Sequence, residues 1–320
     1  MIEEQWRAKK VLVTGGSGFT GSWLSERLRD VGGEVTIIDL VEPKFHDFSL
    51  EKIDFRKQSI ENLTQTSSLF AEKKFDFVFH LASLSLIQEA EKTPQKAFEI
   101  NVNATQNLLD EIRKHNCKAV IASSSRVYSG NKSKFSETDE IDGTMAYDKS
   151  KAQIDELSRE FAKQHSLELG VTRIANTFGG RDLNFSRIVP LIVSNVIQGK
   201  NPVFSNPYLK RDFLFVKDSV TAYKALAENL YKQGVKGEAF NFGQGEAFSL
   251  EEIADALIQI NGDLDIQPQI IENERSNETK SYCLDWSKAK THLNWKPLYS
   301  LQEGLAETVK WYREHFHVFK

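Results

Sequence analysis

Tyr147 and Lys151 stand four residues apart in Met145-Ala146-Tyr147-Asp148-Lys149-Ser150-Lys151-Ala152. At helical pitch they share one face. A phenol titrates near pH 10, so a tyrosine that takes protons at neutral pH needs a stabilised phenolate, and a neighbouring ammonium supplies that help. A shift of about three pKa units corresponds to roughly 4 kcal/mol. Spacing alone is weak. Eight tyrosines in a chain with 28 lysines give about one match by chance, and Tyr128 with Lys132 is a second pair. Context separates them. Ser129-Gly130-Asn131 after Tyr128 is a turn signal, so no helix face forms there. Tyr147 opens a run with Ala152, Ile154, Leu157, Phe161 and Ala162 at helical spacing. Ser124 follows an apolar run, Ala119 to Ala122. In a parallel sheet, chemistry gathers at the carboxyl ends of strands, which puts this serine on the right edge.

Thr14-Gly15-Gly16-Ser17-Gly18-Phe19-Thr20-Gly21 follows the apolar run Val11-Leu12-Val13 and opens a helical pattern. Glycines there let the backbone turn sharply and approach a pyrophosphate, while the helix N-terminus holds its charge. Asp39 ends the next apolar run, 18 residues after Gly21. A carboxylate at that place accepts hydrogen bonds from both adenosine-ribose hydroxyls and repels a 2′-phosphate. No basic residue lies in Leu40-Val41-Glu42-Pro43. The cofactor these residues imply is NAD rather than NADP.

These groups need a scaffold of alternating elements. Val11–Val13, Val35–Asp39, Phe75–Ala82, Ala119–Ala122 and Val171–Ile174 read as buried strands. Helical patterns lie between them at Phe19–Val31, Asn62–Lys73, Pro94–His115 and Met145–His165. That alternation predicts an α/β fold, a Rossmann-type doubly wound parallel sheet with a smaller α/β C-terminal substrate domain. The dinucleotide domain is expected over 1–176 with a return segment about 211–242, the last strand or two falling in Phe213–Phe242. The substrate domain is expected over 177–210 and 243–320, with helices around 218–233, 249–260 and 301–314.

Composition excludes other classes. The 320 residues carry 41 Lys+Arg and 45 Asp+Glu, a net charge of −4, with 40% hydrophobic residues. No basic tract suits nucleic acid, and no apolar run approaches the roughly 18 residues of a membrane span. Met1-Ile2-Glu3-Glu4-Gln5-Trp6-Arg7 is too acidic for a secretory signal. Cys117 and Cys283 are too far apart for a CxxC metal site and read as reduced thiols, so a cytoplasmic location and no bound metal are expected.

Taken together the motifs resemble the extended short-chain dehydrogenase/reductase family of nucleotide-sugar epimerases and dehydratases. The carriers are the glycine loop, His80-Leu81-Ala82-Ser83, Asn101-Val102-x-x-Thr105, Ser123-Ser124-x-x-Val127-Tyr128, Tyr147-x-x-x-Lys151, Arg173-x-x-Asn176, Arg211-Asp212-Phe213-x-x-Val216-x-Asp218 and Asn241-Phe242-Gly243. Gly179 to Pro190 and Leu86-Ile87-Gln88-Glu89 look most like the CDP-glucose and GDP-mannose 4,6-dehydratase branch. The resemblance implies that Tyr147 is the base at the sugar 4-hydroxyl. Lys151 lowers its pKa and binds the nicotinamide ribose, and Ser124 shares the hydrogen bond to O4. It implies NAD contacts from Gly15, Gly18, Phe19, Gly21, Asp39, Ser59, Ile60, Leu81, Ala82, Ser83, Asn101, Tyr147, Lys151 and Ile174. Asn176, Arg211 and Arg275 would hold the nucleotide diphosphate, and Arg187 and Ile188 would line the nucleotide pocket. A homodimer through the helices at 94–115 and 145–165 is implied as well.

Two positions depart from the family pattern. An Asp usually meets the adenine amino group near the third strand's end, whereas this chain has Arg56-Lys57-Gln58-Ser59-Ile60. A dehydratase also carries an acid, with a second acid or a lysine, right after the Ser/Thr. Here that pair is Ser125-Arg126, on the substrate side, and neither is a usual acid or base near neutral pH. The expected activity is therefore NAD-dependent conversion of a nucleotide-diphosphate sugar through a 4-keto intermediate, leaning to 4-epimerase. A 4,6-dehydratase is the alternative. A non-catalytic dinucleotide sensor or scaffold and a plain alcohol dehydrogenase stand further back, because the Tyr–Lys pair is intact and the arginines suit a diphosphate.

Overall fold

The computed structural model describes residues 3–263, 265–271 and 281–315. β1 (Lys10–Thr14) leads through the glycine turn into α1 (Phe19–Asp30), followed by β2 (Glu34–Asp39), β3 (Ile53–Lys57), α2 (Leu63–Lys73) and β4 (Phe77–His80). Next come α3 (Ile87–Lys92), α4 (Pro94–Phe98), a π turn (Glu99–Asn103), α5 (Ala104–His115) and β5 (Lys118–Ala122). A 3₁₀ turn (Ser125–Val127), β6 (Lys134–Phe135), α6 (Ala146–His165), β7 (Leu169–Ile174) and β8 (Asn176–Phe178) follow. The remainder runs α7 (Ile188–Val196), β9 (Val203–Ser205), β10 (Lys210–Arg211), β11 (Phe213–Phe215), α8 (Val216–Asn229), β12 (Ala239–Phe242), β13 (Phe248–Ser249), α9 (Leu250–Asn261), β14 (Gln269–Ile271), β15 (Ser281–Leu284), α10 (Ser287–Leu293) and α11 (Leu301–His315).

Seven strands form one parallel sheet in the order β12-β7-β5-β4-β1-β2-β3. Successive β1 residues face opposite sides. Val11 and Val13 join the layer containing Leu24 and Leu28 of α1 and Leu226 of α8. Leu12 joins the other layer, with Leu108 and Ile112 of α5 and Phe161 of α6. Burial on both faces explains why the central strands read as unbroken apolar runs. The chain leaves β1 toward β2 on one side and β4 on the other, so the crevice for a ligand opens at the carboxyl ends of those strands. A third apolar cluster joins Ile192 of α7, Leu257 of α9, Trp311 of α11 and Phe178 of β8.

Three features differ from the sequence reading. The helix expected over 94–115 is interrupted by the π turn, where an extra residue per turn swings Asn101 inward. Ile53–Lys57 is a strand that periodicity does not mark, its charges breaking the apolar pattern, although the family resemblance places a third strand's end there; it lies at the sheet edge, where polar side chains are tolerated. Ile188–Val196 is a helix despite Pro190, which sits in the first turn where no amide donor is required. The region Phe213–Phe242 supplies one strand to the main sheet, β12, while β11 pairs with β8 in a separate two-stranded sheet.

Candidate active site

The glycine turn is shaped by contact rather than by composition alone. Gly15 has φ +70, and a Cβ there would lie 2.8 Å from the Ala82 backbone nitrogen. A Cβ on Gly21 would lie 2.1 Å from the Gly15 carbonyl oxygen. Gly18 caps α1 without a side-chain hydrogen bond, so the first-turn amides face the crevice with no side-chain partner at the cap. Asp39 Oδ2 accepts from Ser17 N at 3.0 Å and Oδ1 from Leu40 N at 2.7 Å, which fixes its carboxylate at the rim of that turn. Burial pushes its pKa up, against the lowering effect of these amides. A narrow glycine cradle, a helix N-terminus and an acid at the ribose position fit NAD. Ser59 and the buried Ile60 lie at the end of β3, next to Asp39, whose carbonyl accepts from Gln58 N at 2.9 Å. Ser59 Oγ donates to Glu61 Oε2 at 3.1 Å.

Behind Leu81, Ala82 and Ser83 runs a buried polar chain. Thr14 Oγ1 and His80 Nδ1 are 2.7 Å apart, His80 Nε2 and Thr105 Oγ1 2.8 Å, and Thr105 Oγ1 donates to Asn101 O at 2.6 Å. Burial, then the charge of Lys151, pushes His80 down to about 3, so it is a neutral spacer. Asn101, on the π turn, accepts from Leu84 N at 2.7 Å and donates to Ser150 Oγ at 2.9 Å. It thereby ties the loop after β4 to α6.

The end of β5 and the start of α6 bring Ser124, Tyr147 and Lys151 together. Tyr147 is half-buried, with Ser124 close enough to act on its phenol. Burial leaves its pKa above the ordinary phenol value; the charges of Arg187 and Arg126 and the nearby Ser124 act against that rise and Asp148 adds to it, while Lys151, expected to lower it, is not among these influences. Lys151 is 3% exposed, donates to Ala122 O at 2.9 Å and holds Nζ 5.9 Å from the Tyr147 ring centre. Burial pushes its pKa down to about 8.

Ser125 is buried, with Oγ 3.5 Å from Tyr282 Oη. The Arg126 guanidinium is paired with Asp148. Asn176 N donates to Asp212 O at 3.0 Å, which sets Asn176 beside the buried Arg211, whose guanidinium lies 4.9 Å from the Tyr282 ring centre. Asp212 is held by amides of Leu284, Gln244 and Gly245, and burial raises it to about 6. Arg187 caps α7 and pairs with Asp182 at 3.2 Å, with Ile188 next to it; Ile174 closes β7. Arg275 lies outside the described residues. The open hollow between Lys10, Glu34, Ile53 and Lys73 is at the opposite edge of the sheet and holds none of these groups.

Sequence reasoning passed over two participants. Asp148 sits at the third helical position, where an acid commonly bonds the cap amide, and that spacing is a usable signal. Tyr282 meets Ser125 from 157 residues away and also faces Arg211, contacts that no local pattern announces.

The family profile described as GDP-mannose 4,6 dehydratase matches residues 12–308. The chain belongs to that family, within the extended short-chain dehydrogenase/reductases. It is 29% identical to CDP-glucose 4,6-dehydratase of Salmonella typhimurium, covering 98% of this chain and 93% of that one. It is 28% identical to UDP-glucose 4-epimerase of Halalkalibacterium halodurans, covering 96% of each. The crystal structure of dTDP-glucose 4,6-dehydratase from Bacillus anthracis in complex with NAD superimposes with a TM-score of 0.81, at 25% identity over 96% of this chain and 97% of that one. The chain is accordingly an NAD-dependent enzyme of the nucleotide-sugar epimerase and dehydratase class. Among the described residues no helix is long and apolar enough to cross a membrane.

Proposed function

We propose that this enzyme interconverts C4 epimers of a nucleoside-diphosphate sugar. The reading is carried by the turn after β5. Where an elimination needs a placed acid and base, Ser125 is buried toward Tyr282 and Arg126 is committed to Asp148. Tyr147 Oη removes the 4-hydroxyl proton, and Ser124 shares the hydrogen bond to O4. Arg126 and Arg187 stabilise the phenolate, and Lys151 meets the nicotinamide ribose. NAD, when bound, supplies the acceptor and donor of the C4 hydride. Asn176, Arg211 and Arg275 hold the diphosphate through forked contacts; Arg187 and Ile188 line the nucleotide. Residues 1–176 with 211–242 serve the cofactor, and 177–210 with 243–320 the sugar nucleotide. Turning the 4-keto sugar over before reduction needs no further acid. The enzyme works in the cytoplasm, where its buried thiols Cys117 and Cys283 stay reduced, as a homodimer through α4–α5 and α6.

The second reading, 4,6-dehydratase, is favoured by the family profile and by the 29% identical relative. Mass spectrometry after incubation with a panel of nucleotide sugars separates the two. An unchanged mass with altered stereochemistry supports the epimerase, and loss of one water supports the dehydratase.

A further inference from the structure

One ion pair spans the gap between the turn carrying Ser124 and the helix carrying Tyr147. Arg126 Nε donates to Asp148 Oδ1 at 2.7 Å and Nη2 to Oδ2 at 3.1 Å, the forked geometry by which a guanidinium fixes a carboxylate. The Asp148 side chain is 2% exposed and that of Arg126 17%. Asp148 Oδ2 also accepts from Thr144 Oγ1 at 3.3 Å and Met145 N at 3.4 Å. Arg126 N donates to Ser124 Oγ at 3.2 Å, and Arg126 Nη2 donates to Met145 Sδ at 3.7 Å. Every partner in this set belongs either to the turn after β5 or to the entry of α6.

We infer that Arg126 and Asp148 form a positioning clamp, which seats the Ser124 turn against the first turn of α6 so that Ser124 and Tyr147 address the same substrate hydroxyl. The inference rests on the proposed role of Tyr147 as base. A lysine at 126 keeps the charge and loses the fork, so it cannot fully replace arginine.

The clamp also balances charge at the phenol. Facing Tyr147 are Arg126 from the turn, Asp148 and Lys151 from α6, Arg187 with its partner Asp182 at the start of α7, and Tyr223 of α8. Glu91 of α3 reaches Ala146 N at 2.5 Å. Within the clamp the two charges oppose each other. Removing Arg126 leaves an anion beside the phenol and moves the acid limb of the pH–turnover profile upward. Removing the Asp148 charge leaves a cation and moves that limb downward. Loss of geometry lowers the plateau in both cases.

The test uses the full-length enzyme with a nucleotide sugar it turns over, and compares Arg126→Met, Arg126→Lys, Asp148→Asn and the double variant Arg126→Met/Asp148→Asn. Misplacement of this kind should lower kcat by about 10- to 100-fold with KM within about threefold. The double variant should be no worse than the poorer single one, since paired groups are not additive. Arg126→Lys should recover part of the loss. The clamp is overturned if both single variants keep kcat within about twofold of wild type, if their losses multiply, or if both limbs move the same way. Tyr147→Phe run alongside separates the two ideas. Turnover surviving in Tyr147→Phe removes the base assignment and the clamp with it. An inactive Tyr147→Phe beside a fully active Arg126→Met removes only the clamp. Circular dichroism reports folding, and if Arg126→Met does not fold, Arg126→Lys and Asp148→Asn carry the same criteria.

Discussion

The chain holds two tyrosine–lysine pairs of identical spacing, and the fold treats them in opposite ways. Tyr128 is 7% exposed; its hydroxyl donates to Asn241 Oδ1 at 2.7 Å and accepts from Arg173 Nη1 at 2.9 Å. Arg173 is held in turn by Asp155 through two bonds of 2.8 Å. Burial raises the Tyr128 pKa, as it does that of Tyr147, so the difference between them lies in what the hydroxyl meets. Its companion Lys132 points outward, 63% exposed, and pairs with Asp139. Tyr147 instead lies at the open crevice, next to Ser124 and two arginines, with Lys151 buried one turn along the same helix. Spacing places a lysine near a tyrosine only when a helix runs between them. What the phenol then does depends on whether its hydroxyl is consumed by a closed network or left facing a ligand.

The comparison can be broken at either pair. The largest effect is expected for Tyr147→Phe, which keeps the ring and removes the ionisable hydroxyl. Turnover should fall by about 10²- to 10⁴-fold while NAD still binds, as measured by steady-state kinetics and cofactor titration. Asp155→Ala leaves the Arg173 guanidinium buried without its carboxylate and should cost about 3–5 kcal/mol of stability in urea unfolding. Tyr128→Phe unpairs groups on Arg173 and Asn241 and should cost about 1–3 kcal/mol, with turnover of the folded enzyme far less affected than in Tyr147→Phe. The reverse ranking of the two phenylalanine variants would refute the assignment. A further effect, read only as a pH dependence, concerns Lys151. Lys151 is pushed down to about 8 from an ordinary value of 10.5. Between those values the unfolded chain binds the proton and the native state does not, so this residue makes stability rise with pH. Lys151→Met should flatten the rise in urea midpoint over that range.

Much of this arrangement is legible before any coordinates. Val11-Leu12-Val13 followed by glycines, and Asp39 closing the next apolar run, mark the cofactor edge because a buried parallel strand and a pyrophosphate turn each constrain residue type. Tyr147 and Lys151 are legible because the run after them is amphipathic. The edge strand Ile53–Lys57 is legible only through the family resemblance, since Asp54, Arg56 and Lys57 interrupt its apolar pattern. The π turn at Asn101 leaves no compositional trace, and the expected helix simply continues through it. The partner of Arg126 lies 22 residues away across the crevice, and Tyr282 meets Ser125 from another sheet. Such contacts arise from tertiary packing, and local periodicity carries no record of them.

The reaction type turns on the C5 proton of the sugar. An elimination must remove that proton, whereas C4 epimerisation leaves it in place, and the turn at Ser125-Arg126 offers no ready group to take it. Proton NMR of the product formed in deuterium oxide reads this directly. The expected result is a mixture of C4 epimers with hydrogen retained at C5 and no net release of NADH. A stable 4-keto-6-deoxy sugar carrying deuterium at C5 would contradict the epimerase reading.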